Sequence, residues 1–196
     1  MELPSESAIK TGKAGRPVLR SFDEMPEWFR EGSNKWILHG HRPVSSSVGA
    51  SFRSLLYLHN ESVNIYSHLV PAFIFLLGEW SIRGYLIRIS SRVTAADDVA
   101  FSIFMLAAGT CLSLSATYHT LMNHSKHVER LCLRLDMLGV VIFILGDLAL
   151  GIYIVFWCDP LLRGIYWSLA SQPLRALRMS SILHLTLYSN VSSSSE

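Results

Sequence analysis

The sequence predicts an all-α fold, a polytopic transmembrane helix bundle with three complete spans, and three observations carry that reading. Half of the 196 residues are apolar, and mean hydropathy is +0.32. Charged residues make up 16%, against about 25% in an ordinary soluble domain. Three long apolar stretches follow one another, at about 67–89, 99–122 and 131–158. Each meets the roughly 20-residue requirement for crossing about 30 Å of hydrocarbon.

The totals also exclude some functions. A net charge of +2 without a basic cluster gives no footprint for nucleic acid. Cys111, Cys132 and Cys158 lie in or beside apolar runs. They are odd in number and lack metal-site spacing, so buried free thiols are expected. The first sixty residues carry no early apolar segment of the signal-peptide type. Insertion is therefore assigned to the first internal helix.

The elements follow in chain order. Residues 1–20 place Lys10, Lys13, Arg16 and Arg20 among small residues and read as a disordered basic tail. Residues 21–46 add Phe22, Trp28, Phe29 and Trp36 but stay polar, and 1–46 is grouped as a cytosolic amino-terminal tail. In 47–64, Val48, Phe52, Leu55 and Leu56 form one helical stripe with Arg53 off it. This suits a short helix lying in the membrane interface, the alternative being a helix packed on a soluble subdomain. The partial transmembrane domain spans 65–167. Its first helix is interrupted by Glu79 and Arg83, which at i,i+4 can pair on one face; Arg83 can alternatively snorkel to the interface. A fourth apolar stretch starts at Leu161 but fades near Ala170. Residues 168–196 read as a divergent tail. Lys and Arg are balanced across the loops, and only the basic amino-terminal region tips orientation toward a cytosolic amino terminus.

Candidate chemistry concentrates at one hairpin. His119 closes the second helix and Asp136 opens the third, so a short loop brings both to the same membrane face. Cys111, Ser115 and His119 are successive i,i+4 positions on one helical face. Asp147 follows Asp136 by eleven residues, which places it on nearly the same face roughly 16 Å deeper. A carboxylate at that depth is expected to face protein or a water-filled cavity. Plainer roles stand beside these. His119 can be an interfacial histidine, and Asp136 an early-helix acid favoured by the macrodipole. Ser115, Cys111, Gly139 and Gly146 can serve close helix approach. His124 and His127 read as solvated loop residues.

Four ordered motifs add a resemblance. They are Phe22-Asp23-Glu24-Met25-Pro26-Glu27-Trp28 with Gly40-His41-Arg42-Pro43; Leu58-His59-Asn60-Glu61-Ser62-Val63-Asn64-Ile65-Tyr66-Ser67-His68; Ser115-Ala116-Thr117-Tyr118-His119-Thr120; and Arg134-Leu135-Asp136-Met137-Leu138-Gly139. Through about residue 167 the chain resembles the progestin and adipoQ receptor, or haemolysin III-related, family, in the style of its fungal members. The resemblance implies a seven-helix bundle with a cytosolic amino terminus and Zn2+ near the cytosolic side. His119 then corresponds to a zinc ligand, Asp136 to the acid that holds a zinc-bound water, and Ser115 to the serine of the same constellation. The family's remaining ligands form a His-x-x-x-His pair, and this sequence has none; after His127 it offers His184 alone.

The resemblance thus leads to the expectation of a product truncated after the third span, with an incomplete zinc site and no activity of its own. The parent activity would be ceramide amide hydrolysis, with receptor-like signalling as the alternative. Expected partners are the lipid bilayer, a sphingolipid or sterol-like ligand, and a full-length paralogue. The expected location is the plasma membrane or the endoplasmic reticulum.

Overall fold

The computed structural model describes residues 18–32, 35–89 and 94–172. Most of the basic stretch expected to be a tail, together with His184, lies outside the described residues. Three long helices dominate: α3 (Ser62–Ile89), α4 (Ala95–Leu121) and α5 (Lys126–Val155). All three are long and apolar enough to cross a membrane. The expected three spans are present, and each helix begins before its apolar run because polar first turns are helical too. Residues 160–172 form a further helical stretch.

Before them, β1 (Arg20–Ser21) pairs antiparallel with β2 (His39–His41), a 3-10 turn covers Phe22–Glu24, and α1 is Glu27–Gly32. A short α2 (Val48–Arg53) then runs into a 3-10 turn at Ser54–Leu56. The aromatic segment is therefore folded over residues 21–32 and 35–46, not tail-like. Its Met25 and Phe29 join Tyr118, Met122 and Cys132 in one apolar cluster. That cluster seats α1 against the end of the α4–α5 hairpin. Along α2 and the turn after it, Ser51 and Ser54 are buried, Leu55 is half-buried, and Val48, Phe52 and Leu56 are exposed. Most of the apolar stripe thus points away from the protein, as a helix lying on lipid requires.

Local chemistry fixes the helix ends. Thr94 caps α4 with a reciprocal box: its hydroxyl accepts from the Asp97 N–H at 3.3 Å, and the Asp97 carboxylate accepts from the Thr94 N–H at 2.7 Å. The Tyr153 hydroxyl donates to the same carboxylate at 2.5 Å, tying the end of α5 to the start of α4. Pro71 lies inside α3 and removes one backbone donor there.

α4 is central, packed on both α3 and α5. The α4–α5 contact depends on small residues. A Cβ added at Gly139 would lie 3.1 Å from the Cys111 Cα, and one added at Gly146 would lie 2.5 Å from the Ala107 Cβ. Backbone approach of this kind replaces the hydrophobic drive that lipid cannot supply between helices. The outer faces carry exposed Val70, Phe73, Leu77, Trp80, Val141 and Ile144, a surface suited to hydrocarbon.

Several expectations change. Asp147 is exposed while Asp136 is buried, because the Gly146 side of α5 is taken by α4 and the adjoining position turns outward. Cys158 is exposed beyond α5, whereas Cys111 is half-buried and Cys132 buried, all three as free thiols. Glu79 accepts a hydrogen bond from the Ser102 hydroxyl at 2.9 Å, and the Arg83 side chain lies outside the described residues. His127 is exposed, but in the first turn of α5 and not in the loop.

Gly146→Leu is expected to destabilise the detergent-solubilised protein by about 1–3 kcal/mol through overpacking against Ala107. Thermal unfolding followed by circular dichroism checks this, with Gly151→Leu, a glycine whose Cβ position is open, as the neutral control.

Candidate functional site

The hairpin register sets the depth of each candidate. Gly139 lies against Cys111, so Asp136 comes level with Leu114 and Ser115, roughly one turn deeper than His119. Ser115 and Asp136 are both buried, and His119 is half-buried in the last turn of α4. The three residues thus occupy one end of the bundle but not one plane. His68, on α3, lies beside them. Its ring centroid is 5.7 Å from that of His119, and it lies within electrostatic reach of Asp136. The His68 Nδ1 is buried without a hydrogen-bond partner.

Glu61 makes a polar contact with the His119 ring. Its Oε2 lies 2.9 Å from the His119 Nδ1, with the two side chains 10% and 18% exposed. Asn60 donates to Oε1 at 2.5 Å and Asn64 to Oε2 at 2.8 Å. Burial pushes the Glu61 carboxyl up, but the hydrogen bonds from His119 and Asn64 and the charge of Arg42 outweigh it, so its pKa lies below the usual value. The carboxylate is therefore held in its charged form.

Arg42 secures the same end of α4 from outside the bundle. Its guanidinium is 1% exposed. It donates to the His119 carbonyl at 2.6 Å, the Thr120 carbonyl at 2.9 Å and the Ser54 hydroxyl at 2.7 Å. Those carbonyls are among the last four of the helix and lack intrahelical partners. Burial lowers the Arg42 pKa to about 10, against the opposing pull of Glu61. Asn123 closes the loop, accepting from Ser51 at 2.9 Å and donating to the Pro43 carbonyl at 3.1 Å.

His59 completes the shell. Its Nδ1 accepts the Glu61 N–H at 3.1 Å. Burial first, then the Arg42 charge, lowers its pKa to about 4.

Sequence reasoning singled out His119, Ser115 and Asp136. Arg42, His59, Glu61 and His68 lie within the ordered motifs but have no role assigned from the sequence. These four lie 51 to 77 residues before His119 in the chain, so no local periodicity could couple them to it.

A family model described as haemolysin III-related matches residues 56–189, a range that includes Glu61, His68, Ser115, His119 and Asp136. The chain belongs to the haemolysin III-related family. It is 42% identical over 154 residues to the ADIPOR-like receptor IZH2 of Saccharomyces cerevisiae, covering 76% of this chain and 47% of that protein. It is 32% identical over 152 residues to the human progestin and adipoQ receptor family member 3, covering 76% and 47%. It is 31% identical over 151 residues to the adiponectin receptor protein of Drosophila melanogaster, covering 76% and 33%. The chain spans less than half the length of these relatives. The family match runs past the boundary near 167 to which the motifs extended.

Zinc does not fit the described residues by themselves. No three His, Cys, Asp or Glu side chains among them gather closely enough to hold one ion. A zinc site needs about three protein ligands with an open position, or four.

Arg42→Met is expected to cost about 3 kcal/mol, because the partners of a buried, multiply bonded cation are left unsatisfied. Arg42→Lys recovers little of this, since an ammonium cannot reproduce the fork. Equilibrium unfolding of the solubilised protein measures both.

Acidification gives a second check. The folded His59 pKa of about 4 lies below the usual 6.5, so between those values the unfolded chain binds the extra proton. Stability should be fully present above pH 6.5 and fall as pH drops toward 4, with ∂ΔG/∂pH positive. His59→Gln should flatten that part of the unfolding profile.

Proposed function

We propose that this chain carries one part of a lipid-processing membrane centre of the haemolysin III-related family, with ceramide amide hydrolysis as the parent reaction, and that it is inactive by itself. The observation that supports this reading is a buried polar group at one end of an otherwise apolar bundle. Ser115, Asp136, His68, His119 and Glu61 lie where hydrocarbon-facing helices have no structural need of them. Ionisable groups inside such helices are costly, and function is the usual reason to keep them.

Each residue has a role that suits its chemistry. Asp136 can accept a proton from an attacking water, as a general base must. Ser115, at the same depth, can donate to the oxygen that becomes negative when water adds to an amide carbonyl. His119, fixed by Glu61, would be one donor to a zinc ion, which would supply an electrophilic centre. The remaining donors of a zinc site would come from outside the described residues. The proposed orientation keeps the amino terminus cytosolic, with the α4–α5 loop on the same side and the polar cluster beside the inner leaflet. A sphingolipid or sterol-like ligand would reach it from the bilayer.

A receptor reading has its own support. Relatives are named ADIPOR-like receptor and adiponectin receptor protein. In that case the polar cluster would hold the bundle in one of two arrangements that a ligand selects.

Fatty acid release from ceramide separates the readings. The purified chain alone should release none. Its complex with a full-length paralogue whose own equivalent of Asp136 has been replaced should be active and should lose at least about a hundredfold on Asp136→Asn in this chain, the scale of a missing general base. Turnover by the isolated chain would overturn its inactivity. A complex that turns over nothing, yet binds a sphingolipid with or without Asp136→Asn, would favour the receptor.

A further inference from the structure

Glu61 is placed to decide which nitrogen of His119 is available for chemistry. An imidazole has two nitrogens, and in the neutral ring one carries the proton while the other offers a lone pair. The group facing Nδ1 at 2.9 Å is the Glu61 Oε2. A carboxylate can only accept. The contact is therefore a hydrogen bond only when Nδ1 carries the proton, and in the neutral ring the lone pair then resides on Nε2. The carboxylate is not free to turn away. Asn60 holds Oε1 and Asn64 holds Oε2. Asn60 is itself tethered, its N–H donating to the Gly40 carbonyl at 2.9 Å.

The other end of the histidine is fixed as well. Arg42 grips the His119 carbonyl at 2.6 Å, so backbone and ring are held from two separate segments of the chain. His68 stands against the ring without a hydrogen bond at its buried Nδ1. Among the described groups, Glu61 is thus the partner that selects the tautomer.

We propose that Glu61 is a positioning residue that locks His119 as its Nδ1–H tautomer at a fixed ring angle, leaving Nε2 as the donor atom the site uses. This deepens the functional reading above and rests on it for the use made of Nε2; the tautomer itself does not. A carboxylate behind a histidine fixes its tautomer and ring orientation. A substitution at Glu61 should therefore act on His119 without touching substrate.

The test uses the full chain, labelled with 15N-histidine and held in phospholipid nanodiscs in mildly alkaline buffer. His119→Gln assigns the His119 resonances by their disappearance. In the unmodified chain, His119 should show a protonated Nδ1 and a lone-pair Nε2. Glu61→Met removes the acceptor, and the ratio of Nδ1–H to Nε2–H forms should fall about tenfold, the scale of losing a hydrogen bond to a charged group. Glu61→Asp, one methylene shorter, should fall between. Unchanged His68 resonances and helix content show that the bundle survives the change. A His119 carrying its proton on Nε2, or on both nitrogens, in the unmodified chain would overturn the proposal without any variant. So would a ratio that Glu61→Met leaves unmoved in a folded bundle. The spectra do not depend on ceramide turnover, so failure of the hydrolase reading and failure of this inference are separable.

Discussion

The Arg42 guanidinium, closed off from solvent and bonded to the last carbonyls of α4, holds the amino-terminal segment and the transmembrane hairpin together. A helix that ends at a membrane face has carbonyls to satisfy, and a cation there also complements the macrodipole. The same group attracts Glu61, which in turn faces His119. One buried charge thereby connects the Gly40–Pro43 turn, the start of α3 and the end of α4. The apolar cluster of Met25, Phe29, Tyr118, Met122 and Cys132 covers the same junction and keeps water from competing for those bonds.

Lipid imposes the second constraint. Helices in hydrocarbon gain little from burying apolar surface against one another, so association depends on close fit and on polar pairs. The α4–α5 interface shows the first device at Gly139 and Gly146. The Ser102–Glu79 bond between α4 and α3 and the Tyr153–Asp97 bond between α5 and α4 show the second. Against that background the polar cluster around His119 stands out. It lies at the end of the bundle where the amino-terminal segment is pinned, so a rigid structure surrounds it. The exposed Asp147, deeper on α5, lacks such surroundings among the described residues.

The same physics explains why the two halves of the site differed in legibility. Ser115 and His119 share a helical face because they are four residues apart, and that is readable in the chain itself. The depth of Asp136 depends on how α4 and α5 slide past each other. Contacts at Gly139 and Gly146 decide that, and the apolar pattern tolerates several registers. Placing His119 and Asp136 at a common membrane face was therefore sound to about one turn and no better. Glu61 and Arg42 were visible as motif letters, but their partners lie 58 and 77 residues away.

The sequence by itself determined the membrane character, the three spans, their order and the family. Each of these follows from apolar run length and from ordered motifs, which need no knowledge of what touches what. The tertiary structure decided that residues 20–32 and 35–46 fold against the hairpin, that Asp136 is buried and Asp147 exposed, and that His119 faces a carboxylate. Those outcomes turn on side chains brought together from distant parts of the chain, where a single hydrogen bond or one glycine contact selects among arrangements that composition and periodicity leave equal.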